Sequence, residues 1–432
     1  MLKFHPFSWH FALASRLQHW RSSTQLMHDR LLGSVLVILL GLLPYLENAQ
    51  TGIISLVVTV LWLVLWLTEP VLPQQPLLLP LFVYWLVAIL SVIFSPVPLA
   101  ALDGLIKLSL YFGVFVALAR MVGKGWRSIL VGTYLSTTLI VGGYGVHQSI
   151  LGAQELATWT DPTSELAGIT RIYSFLGNPN LLAGYFLPAI PLGLVASWRW
   201  SSSGAKILAG LVSAVSVYGL LNTYSRSALL GLVASGCTLT ILLIFWWGKK
   251  LPPWALPAFL GGASLVTTAS LLAIATVRTR IFSIFWGSGD SSNAFRLNVW
   301  LSVLKMIQSR PLLGIGPGNR AFNLVYPLYQ RSNFSALGTY SVPLEITVET
   351  GIVGLVVYGW LLGTVLVQAW HKLLALRLDR DGEGLWIIGS LSALAGLMAQ
   401  GLFDTVWFRP PVQILWWLCI AILCPIEQAE PR

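Results

Sequence analysis

Residues 343–370 read PLEITVETGIVGLVVYGWLLGTVLVQAW. The 20 residues from Gly351 to Trp370 contain no charged side chain, whereas Glu345 and Glu349 lie four positions apart just before them. An apolar helix of about 20 residues is long enough to cross the hydrocarbon core of a bilayer. The stretch therefore predicts a membrane-spanning helix that carries two acids near one end.

The same signal recurs along the whole chain. Of its 432 residues, 56% are hydrophobic and only 10% are charged, with a mean hydropathy of +0.76, whereas soluble proteins carry about 25% charged residues. Apolar runs that could span a membrane lie near residues 31–47, 52–68, 76–95, 104–122, 128–148, 180–198, 206–223, 227–247, 255–277, 343–370, 385–405 and 411–426. The composition predicts an all-α polytopic membrane protein with about 12 transmembrane helices.

Lysine and arginine in the short loops predict the orientation. Placing the N-terminus in the cytoplasm puts four basic stretches, ARMVGKGWR, SWRWSSSGAK, WWGKK and HKLLALRLDR, on the cytoplasmic side, together with the C-terminus. The chain then divides into a cytoplasmic segment (1–30), a first transmembrane region of about nine helices (31–277), a large external loop (278–342), a second transmembrane region of about three helices (343–426) and a cytoplasmic tail (427–432). Helical spacing of Trp9, Leu13, Leu17 and Trp20 favours an interfacial helix within residues 1–30, with a disordered basic tail as the alternative.

The external loop is strongly basic. Residues 278–340 hold seven lysines and arginines against Asp290 alone, which leaves a net charge of +6. A long loop can cross a membrane despite such a charge. A cationic surface beside the membrane favours an anionic partner such as a diphosphate, an acidic glycan or a lipid headgroup, although a solvated basic face would have the same composition.

An amphipathic helix is predicted within that loop, in SSNAFRLNVWLSVLKMIQSRP. Its polar stripe comprises Asn298, Ser302, Lys305 and Ser309, and Arg296 falls on the opposite face, beside Trp300, Val303 and Ile307. Burial of an unpaired arginine is costly, so Arg296 is expected either to bind an anion or to form a structural salt bridge. Arg310, at the end of the same helix, is a further candidate for contact with an anion.

Two further anion-binding candidates lie at predicted helix ends. Arg226, in LLNTYSRSALLGL, sits at the outer end of a span, where a guanidinium either binds phosphate or carboxylate oxygens or extends to the interface. Asn178, in FLGNPNLLAGY, is a predicted helix cap, and a helix N-terminus in an outer cavity attracts anions. Asp103 with Lys107, and Asp404, are candidates for local ion pairs.

Several other kinds of site have weak signals. Gly314, Gly316 and Gly318 resemble a phosphate-cradling loop, but neither a preceding strand nor a βαβ context is predicted, so a turn toward the membrane is favoured. The six histidines form no ligand cluster with metal spacing, and there is no glycine-lysine nucleotide motif. We therefore predict no metal, no cofactor and no nucleic-acid partner, and the three cysteines in apolar runs predict no disulfide framework.

Three stretches, TYSRSALLGL, FRLNVWLSVLKMIQSRPLLGIGPGN and VETGIVGLVVYGWLL, resemble the O-antigen ligase and polymerase superfamily of membrane proteins. More narrowly, four others, YSFLGNPNLLAGY, GPGNRAFNLVYPLYQ, YSVPLEITVETG and QGLFDTVWFRPP, are similar to the cyanobacterial IctB proteins, once called inorganic-carbon transporters. The narrower resemblance runs over nearly the whole chain and would place the protein in a bacterial inner (plasma) membrane.

The wider resemblance implies a C-type glycosyltransferase fold and a metal-independent reaction. Such enzymes move a glycan from a polyprenyl-diphosphate carrier to an acceptor hydroxyl, with arginines on the diphosphate and a loop histidine as base. Arg226 matches the arginine of the family's SRG-type motif, which here reads SRS, and Arg296 matches the arginine before tryptophan in the loop helix. Tyr340 stands where the family has its histidine.

The replacement of that histidine puts catalysis by this chain in doubt. Tyrosine has an ordinary pKa of about 10 and is a poor base at neutral pH. Glu345 and Glu349 could take over proton transfer if both face the same cavity, or they could interact with the positive end of the helix or with loop arginines.

Three functions thus remain open from the sequence. The first is a glycan-transfer enzyme or a binder of lipid-linked glycans, the second is a bicarbonate transporter or an accessory to carbon accumulation, and the third is a non-catalytic membrane scaffold. A transporter predicts broken helices and inverted repeats around a midplane site. No convincing repeat is present, and the charges cluster in the external loop, which favours glycan chemistry at that face.

Overall fold

The computed structural model describes residues 18–68, 75–153, 171–248, 291–331, 334–379 and 381–426, and within them the regular structure is helical, without a strand. The helices are α1 (Gln18–Leu42), α2 (Asn48–Thr68), α3 (Leu78–Ile93), α4 (Pro98–Gly123), α5 (Arg127–Leu151), α6 (Pro179–Arg199), α7 (Ser203–Asn222), α8 (Arg226–Trp247), α9 (Ser291–Ser309), α10 (Asn319–Val325), α11 (Val342–Asp379), α12 (Gly384–Gly401) and α13 (Pro410–Leu423).

The helices confirm an all-α polytopic membrane protein. In the described ranges, 8 helices are long and apolar enough to cross a membrane, and α3 and α13 are shorter apolar helices. Eleven of the twelve predicted spans fall on described helices, and the span 255–277 lies outside the described residues. The first span is longer than predicted, because α1 runs without a break from Gln18 through the expected boundary at residue 30.

The core of the bundle surrounds α4, α6, α12 and α13. Every side chain from Pro411 to Leu423 of α13 is buried. Small residues allow the close approach of α8 and α12, since a Cβ on Gly231 would lie 2.7 Å from the carbonyl oxygen of Gly396. By contrast α2 exposes Ile53, Leu56 and Val60, as expected of a helix that faces lipid.

Helices of the bundle that are joined by short connections alternate in direction, so these connections lie at two faces. We call the face that holds residues 291–341 the loop face, and the other the opposite face. The connections between α1 and α2, α3 and α4, α5 and α6, α7 and α8, and α12 and α13 also lie at the loop face. The residues predicted to bind anions are therefore brought to one end of the bundle.

Candidate anion-binding site at the loop face

Arg226 begins α8 immediately after a tight turn. The Ser225 hydroxyl oxygen caps the helix by accepting a hydrogen bond from the amide of Ala228 at 3.4 Å, and Tyr224 adopts a left-handed φ of 51°. Ser225 and Ser227 on either side are buried. The turn thus places the arginine at the loop-face end of the bundle, as predicted from the sequence.

Arg171 is a second arginine of this site, and the sequence analysis missed it. Its Nε donates to the carbonyl oxygen of Thr223 at 2.8 Å, and its Nη2 donates to Oδ1 of Asn180 at 2.8 Å. Burial lowers the pKa of Arg171 to about 10, Asp404 opposes this change, and Arg296 and Arg226 reinforce it. Arg171 remains charged at neutral pH, and three arginines lie close enough to interact electrostatically.

Arg296 approaches the same point from the loop helix α9. Its side chain is partly buried, as the predicted position on the apolar face of that helix requires. Trp300, one turn further along, donates from its indole nitrogen to the carbonyl oxygen of Thr339 at 2.9 Å. This hydrogen bond ties α9 to the chain that leads into α11 and so fixes the helix that carries Arg296.

Asp404 is the acid among these arginines. Its Oδ2 accepts a hydrogen bond from Asn180 Nδ2 at 2.9 Å, and its Oδ1 accepts from the amides of Thr405 and Val406 at 2.8 and 3.3 Å. Burial raises the pKa of Asp404, while Arg296, the two amides and Arg171 oppose the rise. In the described residues no salt bridge joins Asp404 to an arginine, so the predicted local ion pair at this position is not formed there.

The cluster therefore has an excess of positive charge. We define the arginine cluster as Arg171, Arg226 and Arg296 around Asp404, which together carry three positive charges and one negative charge. The hydrogen bonds of Arg171 go to a carbonyl oxygen and an amide oxygen, which are uncharged, so an anion would compensate the charge of this partly buried guanidinium. The planar donor groups of arginines match the oxygens of phosphate or carboxylate.

Tyr340 lies beside the cluster in a strained turn. Its φ is 56°, its ring packs edge-on against Phe295 at 5.7 Å, and it interacts electrostatically with Asp404, Arg296 and Glu345. Burial raises the pKa of Tyr340, Asp404 raises it further, and Arg296 lowers it. The phenol is therefore protonated at neutral pH, and it can donate a hydrogen bond but is a poor base.

Backbone strain is concentrated around the cluster. Among the described non-glycine residues, three have a positive φ: Ser174, Tyr224 and Tyr340. Ser174 follows Arg171 by three positions, Tyr224 precedes Arg226 by two, and Tyr340 interacts with Arg296. Left-handed conformations of non-glycine residues cost free energy and are concentrated at functional sites. Their positions therefore agree with a binding site at the arginine cluster.

Glu345 and Glu349, the two acids of the opening stretch, are both buried in the first part of α11. Oε2 of Glu345 accepts a hydrogen bond from the amide of Thr339 at 2.7 Å, and Oε1 of Glu349 accepts from the amide of Gly318 at 2.7 Å. Glu345 thus holds the turn that contains Tyr340, whereas Glu349 holds the glycine-rich segment.

The glycine-rich segment 314–318 packs against a break in α11. Gly351 has non-helical angles (φ 70°, ψ −174°), and the amides of Ile315 and Gly316 donate to the carbonyl oxygens of Val348 and Glu349 at 2.8 and 2.9 Å. All three glycines of the segment have positive φ, as a close backbone approach requires. The favoured interpretation as a turn toward the membrane agrees with these contacts, and the carboxylate bound by Gly318 comes from the chain itself.

Two other predicted residues make contacts away from the arginines. Arg310 donates from Nη1 to the carbonyl oxygen of Phe94 at 2.9 Å, at the end of α3. Asn178 caps α6 as predicted, since its Oδ1 accepts from the amides of Asn180 and Leu181 at 2.9 and 3.1 Å. The cap positions Asn180, which bridges Arg171 and Asp404. Asp103 and Lys107 form the predicted ion pair at 2.7 Å.

The polar stripe predicted on α9 is only partly exposed. Ser302 is buried and donates to the carbonyl oxygen of Asn298 at 3.2 Å. Lys305 and Ser309 of the stripe are exposed, and the exposed surface of the helix also carries Leu297, Leu301 and Leu304. The buried face of α9 therefore includes Ser302, which the sequence had placed on the polar stripe.

Neither a metal-ligand group nor the larger cavity of the bundle contributes to this site. Within the described ranges, no three His, Cys, Asp or Glu side chains are grouped as metal ligands would be. A cavity of about 530 Å³ lies at the opposite face, between Ser128 of α5 and Trp200, and no charged residue lines it. It is therefore unsuited to bind an anion.

Comparison with known protein families finds a match over part of the chain. The family model described as O-antigen ligase matches residues 211–359. The matched segment resembles an O-antigen ligase. It contains Arg226, Arg296 and Tyr340, which supports the superfamily recognised from the sequence motifs. No curated protein matches the chain.

Arg171 and Asn180 could have been found only in part from the sequence. Arg171 lies two positions before the YSFLGNPN stretch and Asn180 is its last residue. The cap at Asn178 was recognised, but an arginine before a helix start has no distinctive spacing. Asp404 was noted as a charge near the same face. What the sequence did not show is that the segments before α6, before α8 and after α12 meet at one point.

Proposed function

We propose that this protein handles a polyprenyl-diphosphate-linked glycan at the periplasmic face of the membrane and transfers the glycan to an acceptor hydroxyl. One observation carries the proposal, namely that Arg226, Arg296 and Asp404 all lie close enough to Arg171 to interact with it electrostatically. The match of residues 211–359 to O-antigen ligases supports the same substrate class. In this proposal the loop face is periplasmic, and the loop segment covers the site.

The arginine cluster would act on the leaving group. During transfer, the acceptor oxygen forms a bond to the anomeric carbon, and the bond from that carbon to the diphosphate oxygen breaks. The electron pair of the broken bond leaves with the diphosphate, whose negative charge increases. Guanidinium groups already held in place stabilise that charge in the transition state, so the step needs no metal. Arg171 is preorganised by Thr223 and Asn180, and Arg296 by the anchoring of α9 through Trp300.

The proton of the acceptor hydroxyl needs a base. We assign this role to Asp404, because burial raises its pKa and makes the carboxylate a better base than an ordinary aspartate. Tyr340 would donate a hydrogen bond to a substrate oxygen. Glu345 is the alternative base, since it lies behind Tyr340, and Glu349 would act by holding the segment 314–318 in place.

Inorganic-carbon transport is the second candidate function, and one observation favours it. The helix α11 is interrupted at Gly351, and interrupted helices are typical of transporter sites. However, the carbonyl oxygens of Val348 and Glu349 next to the break already accept amides from residues 315 and 316. The break therefore serves to attach the loop segment, and glycan transfer is the better-supported function.

The experiment is native mass spectrometry of gently purified protein with a synthetic polyprenyl-diphosphate glycan. A hydrogen bond to a charged group contributes about 1.5–3 kcal/mol, so we expect Arg226→Ala and Arg296→Ala each to weaken retention of this lipid by about 10- to 100-fold. Arg171→Gln should weaken retention by a similar factor, although the glutamine amide can still donate to the carbonyl oxygen of Thr223. Arg331→Ala is the matched control, because Arg331 is exposed and its guanidinium donates to Asn298.

Retention that is equal in the wild-type protein and all three cluster variants would overturn the proposal. Retention without transfer by the wild-type protein would show a binder of lipid-linked glycans instead of a transferase. Bicarbonate flux in proteoliposomes that depends on Arg226, without any retention of the lipid, would favour transport.

A further inference from the structure

A second cationic and apolar feature lies at the rim of the loop face. A groove of about 280 Å³ runs between the start of α4 and the short helix α10, and it is lined by Val97, Pro98, Leu99, Ala100, Arg320 and Leu324. Five of these six residues are apolar, and the sixth is an arginine. The combination suits an amphiphilic ligand with one anionic end.

The groove lies at the loop-face ends of two apolar helices. The turn 94–97 joins α3 to α4, both of which are apolar helices of the bundle. From the groove, α4 continues with Leu99, Leu102 and Ile106, which are 85%, 43% and 53% exposed and follow one another at helical spacing. An apolar stripe on a membrane helix is the surface that an acyl chain contacts.

Charge at the rim is not balanced by acids. Arg320 and Leu324 are exposed on α10, and Arg320 forms no salt bridge with the described residues. Arg310 lies beside the same turn, because its Nη1 donates to Phe94. The described part of the loop, 291–331 and 334–341, contains no aspartate or glutamate, and the nearby Asp103 is paired with Lys107. The rim therefore attracts anions.

We propose that this groove binds an anionic phospholipid from the leaflet at the loop face. Arg320 and Arg310 contact the headgroup phosphate, Leu324 and Leu99 contact the upper part of an acyl chain, and the chain continues along the stripe of α4. The site is separate from the arginine cluster, whose electrostatic interactions join Arg171 to Arg226, Arg296 and Asp404. The inference is independent of the proposed glycan transfer.

The occupant follows from the chemistry of the lining. A soluble anion would not use the exposed apolar residues, and an uncharged lipid would not use the two arginines. Each basic residue near an anionic membrane surface strengthens attraction by about five-fold. We therefore expect selective enrichment of an anionic lipid over a zwitterionic one of the same chain length.

The experiment uses the full chain in nanodiscs of phosphatidylcholine with a minor fraction of phosphatidylglycerol of matched chains. Native mass spectrometry measures the ratio of the two lipids that stay on the protein after release. We expect the wild-type protein to be enriched in phosphatidylglycerol and Arg320→Ala to lose about five-fold of that enrichment. Leu324→Asn should reduce the number of retained lipids. The matched controls, Arg331→Ala and Leu328→Asn, change exposed residues of the same segment that do not line the groove.

Three outcomes would overturn the inference. Enrichment that is unchanged in Arg320→Ala would show that the groove does not recognise the headgroup. An equal loss in Arg331→Ala would show diffuse attraction to the whole loop. Loss of the polyprenyl-diphosphate glycan in Arg320→Ala would assign the groove to the transfer site. Failure of the wild-type protein to retain the polyprenyl-diphosphate glycan, with phosphatidylglycerol enrichment intact, would overturn only the proposed function.

Discussion

The two faces of the bundle hold their charges in different ways. At the opposite face, Asp29 accepts from Arg120 at 2.9 and 3.0 Å and from Lys124 at 2.6 Å. At the loop face, Asp404 accepts from Asn180 and two amides, while the neighbouring arginines interact with it only at longer range. Both faces are basic, but only the first satisfies its carboxylate with cations in direct contact.

A second ion-pair group at the opposite face has the same character. Glu383 lies between Arg127 and Arg199, with salt bridges to both, and the Arg127 guanidinium also lies 5.1 Å from the centre of the Trp386 ring. These contacts join α5, α6 and the start of α12. Direct ion pairs thus fasten the helices at one face, whereas at the loop face Arg171 and Arg296 interact with Asp404 without a direct salt bridge among the described residues.

The largest effect is expected from Asp29→Asn. The change removes the Asp29 carboxylate that accepts two hydrogen bonds from Arg120, which is only 5% exposed, and removal of one partner from a buried pair costs about 3–5 kcal/mol. Thermal unfolding in detergent should show a clear loss of stability. The double variant Asp29→Leu with Arg120→Met should be less destabilised than Asp29→Asn. A single variant as stable as the wild-type protein would contradict a structural role for this pair.

An intermediate effect is expected from pH at the loop face. Burial raises the pKa of Asp404, so as pH falls through that value the carboxylate is neutralised at a higher pH than an ordinary aspartate. The arginine cluster then becomes more positive, and retention of the polyprenyl-diphosphate glycan should rise by a few-fold, while transfer that uses Asp404 as base should fall. Asp404→Asn should abolish both pH effects. If retention still rises and transfer still falls at low pH in Asp404→Asn, the titrating group is another residue.

The smallest effect is expected from Glu383→Gln. Glu383, Arg127 and Arg199 are all partly exposed, and exposed ion pairs contribute about 0–1 kcal/mol. The unfolding temperature should change little, and retention of the diphosphate lipid should be unchanged. A loss of lipid retention in this variant would mean that the two faces are coupled through α12. It would contradict the separation between a structural role of the opposite face and a binding role of the loop face.

The sequence predicted the helical class, and eleven of its predicted spans fall on described helices, because about 20 apolar residues in a row have few alternatives to a membrane helix. It also predicted the positions of Arg226 and Arg296 near the loop face, and the capping by Asn178. The prediction for α1 was less accurate. Because the first turns of this helix carry charged residues, they were assigned to a separate cytoplasmic segment and not to the same helix as the apolar part.

Glu345 and Glu349 show why local sequence was insufficient. Their spacing placed them on adjacent turns, but the same spacing fitted proton transfer, a helix dipole or pairing with arginines. The structure pairs one with Thr339 and the other with Gly318, which are 6 and 31 positions away. The second partner depends on the break at Gly351 and on the path of the segment 311–318, which periodicity does not encode.

The sequence alone therefore determined what each segment is: a span, a cap, a basic loop or a turn, since these depend on hydropathy and local backbone preference. Only the tertiary structure decided which charges meet. Arg171, Arg226, Arg296 and Asp404 come from four separate segments, between residues 171 and 404. The packing of α6, α8, α9 and α12 brings them together, because burial of the bundle core sets where helix ends lie.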